Sequence, residues 1–217
     1  MQKTTMDPFP AKPLDLRKFS PVKDTLKQYD EAVAKCRDVF VKKNADYGAS
    51  WRILRPSSLT DQLMIKAKRI RSIEEKKTQK VEDSIDGDFI GIVNYAVMAL
   101  IQLEHPVSEA EPHPEKASLE ELLPLYDHQI QTARSLMLAK NHDYGEAWRE
   151  MRISSITDLI LMKLLRLKQI EDNEGGKLLL ISEGPEANYL DIINYAIFAL
   201  ILLSEQGGEN DASQATN

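Results

Sequence analysis

The sequence predicts an all-α protein of two tandem three-helix repeats packed about a pseudo-two-fold axis. Three observations carry that prediction. First, Lys43–Glu75 (KNADYGASWRILRPSSLTDQLMIKAKRIRSIEE) recurs 97 residues later from Lys140 to Asp172, with about 19 of roughly 48 positions identical between residues 27–74 and 124–171. Second, the match resumes at an offset of 100, Ile90–Glu104 against Leu190–Ser204, so a short insertion precedes the last helix of the second copy. Third, apolar residues recur at helical spacing, and each copy closes on an apolar run, AVMALIQL or AIFALILL.

The first helix is expected from Val22 to Lys43, and again from Ser118 to Lys140. Ser118-Leu-Glu-Glu121 is a capping box, and the Asp-Tyr-Gly ends place Gly48 and Gly145 as left-handed C-caps. The second helix is read as starting at Ser58-Leu-Thr-Asp61 and Ser155-Ile-Thr-Asp158, with Thr60 and Asp61 serving its N-terminus. Leu63, Ile70 and Ile73 then mark its inner face, and Lys66 and Arg69 an adjoining stripe. The third helix is apolar nearly all round. Its uninterrupted runs of about fifteen residues fall short of the roughly twenty that span a bilayer. Two such helices are therefore expected to bury each other at the axis, as in a homodimer fused into one chain. A small strand is expected at Lys177–Ile181.

These elements divide the chain into an N-terminal arm (1–21), repeat 1 (22–105), a Pro- and Glu-rich linker (106–117), repeat 2 (118–205) and a polar, disordered tail (206–217). Composition narrows the class. With 217 residues, 42% of them hydrophobic, the chain can bury a core, which excludes low-complexity disorder. Its one cysteine, Cys36, excludes a disulfide scaffold and reads as a buried structural thiol. The N-terminus lacks the apolar core of a secretory signal, so a soluble cytoplasmic protein is expected. A formal charge of −6 argues against a nucleic-acid partner.

The residues shared by both copies are mostly polar or charged, whereas the apolar positions drift, as packing of similar volumes allows. Lys43/Lys140, Lys66/Lys163, Arg69/Arg166, Arg52/Arg149 and Arg55/Arg152 suit a polyphosphate. Asp46/Asp143 and Asp61/Asp158 are hard oxygen donors of the kind Mg²⁺ takes. Tyr47/Tyr144 and Trp51/Trp148 offer faces to a base, although the tryptophans suit packing under the loop better. Asn94/Asn194 complete the candidate binding set. Near the third helix the copies differ: repeat 1 has Glu82, Asp83, Asp86, Asp88 and Gly91, and repeat 2 has Glu183, Glu186, Asn188 and Asp191.

The string K-N-x-D-Y-G-x-x-W, then S-[LI]-T-D, K-x-x-R and an [IV]-N-Y-A apolar helix, resembles the nucleotide modification associated domain 1 family, in two copies. More distantly, the architecture resembles the all-α NTP pyrophosphatases of the MazG and dimeric dUTPase type, which hold Mg²⁺ with acids on adjacent helices. That second resemblance implies Mg²⁺-dependent cleavage of a canonical or modified nucleoside triphosphate to monophosphate and pyrophosphate. Asp61, Asp158 and Asp191 would be catalytic, with Asp83, Asp86 and Glu186 completing the metal ligands. No Glu-Glu-x-x-Glu lies on the second helix, where Lys66 and Lys163 stand instead. The alternative reading is a non-catalytic helical module that senses a nucleotide or binds a protein, its charged pairs serving the pseudo-symmetric interface. A further homodimer is compatible with either.

Overall fold

Asp24 begins the first helix by accepting a hydrogen bond from the Lys27 amide at 3.1 Å, which satisfies a first-turn donor. In the computed structural model, which describes residues 24–78, 80, 84–108, 113–173 and 184–214, this is α1 (Thr25–Tyr47). It is followed by α2 (Pro56–Lys76), α3 (Ile85–Glu104), α4 (Leu119–Tyr144), α5 (Ile153–Glu171) and α6 (Pro185–Gln214). Short 3-10 turns, Ser50–Ile53 and Ala147–Glu150, join α1 to α2 and α4 to α5. Among the described residues there is no strand. The expected strand at 177–181 lies outside them, as do Glu82, Asp83 and Glu183.

Several boundaries differ from the sequence reading, for local reasons. α1 and α4 run on to Tyr47 and Tyr144, where Gly48 and Gly145 stop them with φ of 61° and 63°. Their ψ values of −160° and −157° lie outside the left-handed helical well, in a region that only glycine adopts readily. α2 starts earlier than Ser58, because Pro56 supplies a pre-set φ at the first helical position and Arg55 is the N-cap. Thr60 and Asp61 are therefore not caps. The Ser118–Glu121 capping box forms as expected. Part of the linker docks: a turn at Pro114–Lys116 buries Pro114, and the Ala49 amide donates to the Glu115 carbonyl at 3.0 Å. α6 continues to Gln214, through most of the segment read as a disordered tail.

The helices stack as three pairs. α3 and α6 pack on each other in the middle, α2 and α5 pack together on one side, and α1 and α4 contact both central helices from the other. This explains the all-round apolar pattern of α3 and α6, which have neighbours on every side. Two-thirds of each long apolar window is buried, although both are long and apolar enough to cross a membrane. Phe89, Ile92, Val93 and Val97 of α3 are buried, as are Tyr189, Ile192, Ile193 and Ile197 of α6. Full burial of each large aliphatic is worth roughly 1.5–3 kcal/mol.

Polar contacts between the repeats come in symmetric couples. Arg37 forks onto Asp127 and Arg134 onto Asp30, both at 2.8 Å through Nε. At the α2/α5 seam, Lys168 donates to Asp61 at 2.6 Å and Arg71 to Asp158 at 2.9 Å. Thr60 donates to Glu171 at 2.6 Å and Thr157 to Glu74 at 3.0 Å. Burial, the largest influence, pushes the Glu74 and Glu171 carboxyls above their ordinary range despite those hydroxyl donors. Folding therefore favours their protonated forms, and the penalty for ionising them appears as pH rises from the unfolded value through the folded one. Glu74→Gln and Glu171→Gln keep an acceptor for each threonine. Both are expected to raise the urea midpoint at pH 7 and to leave it unchanged at about pH 3, below the carboxylate range; a lower midpoint at pH 7 would contradict this.

Candidate functional site

Each repeat folds a cavity at the same place, between the end of its first helix, the 3-10 turn and its third helix, and in repeat 1 Lys66 of the second helix lines it as well. The repeat 1 cavity is about 180 Å³ and is lined by Lys43, Trp51, Lys66, Gly91, Asn94 and Tyr95 among others. Its repeat 2 counterpart is about 120 Å³, lined by Lys140, Trp148, Asp191, Asn194, Tyr195 and Phe198 among others.

The wall of the repeat 1 cavity follows from the Gly48 turn, which folds Trp51 back beneath α1. There the indole Nε1 donates to Asn44 Oδ1 at 3.2 Å, and the Asn44 amide donates to the Phe40 carbonyl at 2.8 Å. Trp51 also packs on Phe40, with ring centroids 6.3 Å apart. Tyr47 stands at the rim, 73% exposed.

Asn94 forms the floor, but both ends of its side chain are engaged. It accepts from the Tyr126 hydroxyl of the other repeat at 2.8 Å and donates to the Cys36 carbonyl at 3.0 Å. Asn194 repeats the arrangement with Tyr29 and Ala133, at 2.8 and 3.0 Å. These two asparagines are cross-links between repeats before they are binding groups. Cys36 is buried, its thiol pushed up to about 12 by desolvation, which fits a structural thiol.

The cationic side is where the copies diverge. In repeat 1, Lys66 crosses Gly91 to reach Asp88 at 3.2 Å, and Arg69 pairs with the other oxygen of that carboxylate. A Cβ on Gly91 would lie 2.5 Å from Lys66 Cε, so the absence of a side chain is what lets the lysine lie there. In repeat 2 the acid has moved one helical turn along. Asn188 replaces Asp88 and Asp191 replaces Gly91. The Asp191 carboxylate bridges Lys140 at 2.5 Å and Lys163 at 2.8 Å. Asn188 Oδ1 is left buried with no hydrogen-bond partner among the described residues. Phe198, in place of Met98, stacks on Trp148 with centroids 4.2 Å apart. The Trp148 Nε1 has no acceptor among the described residues, because Asn141 turns to the Met137 sulfur instead.

The remaining expected residues scatter. Arg52 is buried against α3, donating to Gln102 and to the His105 carbonyl. Arg149 lies over Trp148 at 4.4 Å and holds Glu205, Gln28 and Thr25. Both arginines thus tie helices together and do not face the cavities. Arg55 and Arg152 are exposed N-caps, and Asp46 and Asp143 are exposed near the helix ends, with Asp143 3.0 Å from His142 Nδ1, whereas Tyr144 stands at the rim of the repeat 2 cavity as Tyr47 does in repeat 1. Arg166 is exposed on α5. Asp86 lines a different cavity of about 330 Å³, with Glu31 and Lys35. Glu186 sits on the first turn of α6 beside Gly184.

Those of the expected Mg²⁺ ligands that lie among the described residues do not gather into one group. Among the described residues no three carboxylates, imidazoles or thiols gather. Asp61 and Asp158 face cations across the α2/α5 seam, and Asp191 is held by two lysines. Asn44, Gly87, Tyr95 and Met98 line the repeat 1 cavity and were absent from the predicted set. The shared Lys-Asn and Asn-Tyr-Ala strings carried a signal for the first and third, whereas nothing in the sequence marked Gly87 or Met98.

The sequence model of the nucleotide modification associated domain 1 family matches residues 43–103 and 140–203, more than half of the chain. The chain belongs to that family, in two copies. Both family segments begin at the cavity lysine, Lys43 or Lys140, and run through the third helix, so each contains most of one cavity. No curated protein and no solved structure matches the chain, so the more distant likeness to all-α NTP pyrophosphatases finds no counterpart there.

Proposed function

We propose that this nucleotide modification associated domain 1 protein is a helical nucleotide-binding module whose working site is the repeat 1 cavity. One observation carries the reading: a cavity of about 180 Å³, lined by Gly87 and Gly91, brings two lysines together with Trp51 and Tyr95. In this reading Lys43 and Lys66 take the phosphate through charge-assisted hydrogen bonds, and the ring lies against the aromatic wall, with Tyr47 at the rim. The family name supports a nucleotide as the ligand class. Binding without hydrolysis is favoured over pyrophosphatase chemistry, because Asp61, Asp158 and Asp191, three of the acids that would hold Mg²⁺, are engaged by lysine and arginine.

The test is titration of the full chain with a panel of canonical and base-modified nucleoside mono- and triphosphates, with Mg²⁺ or with EDTA, followed by product analysis. One nucleotide per chain is expected to bind, with affinity retained in EDTA and no pyrophosphate released. Lys43→Ala should weaken binding by about 10- to 100-fold, the worth of one charge-assisted contact. Silence across the panel would overturn the reading. Metal-dependent pyrophosphate release would replace it with the hydrolase.

A further inference from the structure

We propose that Asp191 is a built-in anion occupying the repeat 2 cavity, and that Lys140 and Lys163 form a latent second anion site exposed when its carboxylate is removed. The proposal rests on reading the repeat 1 cavity as a phosphate-and-ring site. It comes from comparing one place in two copies of the same fold. Lys140 and Lys163 correspond to Lys43 and Lys66, and Asp191 to Gly91. Where repeat 1 has no side chain, repeat 2 places a carboxylate on both lysines, at 2.5 and 2.8 Å.

Three further features show that repeat 2 is arranged around this internal anion. Lys163 is buried, whereas Lys66 keeps a 27% exposed side chain. The Asn188 oxygen has no partner among the described residues, because Lys163 has turned from that position to Asp191. The cavity has shrunk from about 180 to about 120 Å³, with Phe198 stacked across Trp148. The carboxylate therefore marks where the anionic group of a ligand sits in repeat 1: between Lys43 and Lys66, once Lys66 swings from its place over Gly91, where it reaches Asp88. A chain with one open and one internally filled site binds one ligand, although it carries two copies of the site.

The experiment uses inorganic pyrophosphate as the probe and the full chain in three forms: wild type, Asp191→Gly, and Asn188→Asp/Asp191→Gly, which copies the repeat 1 arrangement of acids. Calorimetry is expected to give one pyrophosphate per chain for wild type and two for both variants. Asp191→Gly should melt several degrees lower than wild type without the probe and regain most of that shift with it, because the added anion replaces the missing one. One site in all three folded forms would overturn this proposal and leave the repeat 1 reading intact. No site in wild type but one in the variants would uphold the latent site and overturn the repeat 1 reading. No binding in any form overturns both. Failure of both variants to fold, with or without pyrophosphate, also overturns the proposal, since the external anion should restore what was removed.

Discussion

Gly91→Asp is expected to abolish nucleotide binding, weakening it by at least about 100-fold, while leaving the protein folded. The substitution carries the repeat 2 solution into repeat 1. The three atoms nearest a Cβ at Gly91 all belong to the Lys66 side chain, at 2.5 to 3.0 Å, and that flexible chain can swing aside. The new carboxylate then reaches Lys43 and Lys66 as Asp191 reaches Lys140 and Lys163. An incoming phosphate would have to displace it and face its charge, a loss of roughly 3 kcal/mol or more. Helix propensity does not oppose the change, because glycine is the poorer residue at a helix interior. The isosteric Gly91→Asn separates volume from charge. It adds the same bulk without the anion and should weaken binding less than about tenfold. Equal damage from Asp and Asn would mean that the cavity merely lacks room, and the lysine argument would fail.

The pair Gly91/Asp191 also shows where the sequence was informative. The duplication, the helix order and the central apolar pair were legible, because core burial imposes a period that survives exchange of Leu63 for Ile160 or Met64 for Leu161. The candidate site was harder to read. The sequence reading makes Asp61 and Asp158 metal ligands and Asn94 and Asn194 binding groups, yet all four are engaged between the repeats, as are Thr60 and Thr157. A pseudo-two-fold interface uses the same surface on both copies, so each copy must keep its half of every contact. Sharing therefore marks the interface as strongly as it marks a ligand site. A position where the copies differ, glycine against aspartate, separates the open cavity from the filled one. The chemistry of that difference appears only with the fold, since Lys43, Lys66 and Gly91 lie far apart along the chain.

Asn94→Ala should be among the most destabilising single substitutions in the molecule, at about 3 kcal/mol, and Asn194→Ala should match it. Each asparagine is buried and makes two hydrogen bonds, one to a carbonyl of its own repeat and one from a tyrosine of the other. Truncation to alanine strands the buried Tyr126 hydroxyl, at about 1–3 kcal/mol, and removes the second bond to the Cys36 carbonyl, which keeps its partner within α1. Desolvation already pushes the Tyr126 and Tyr29 phenols well above their ordinary range, so neither escapes by ionising. The coupling can be isolated. Tyr126→Phe removes only the donor, and in the Asn94→Ala background no acceptor remains for it to lose. The double variant should therefore be more stable than the sum of the two single losses predicts, by about 1 kcal/mol or more in denaturant unfolding. Strict additivity would mean that the Tyr126–Asn94 contact contributes nothing to joining the repeats. A positive coupling at both symmetric pairs would instead show the floor of each cavity to be built by the opposite repeat, so that neither half could hold its site open when separated.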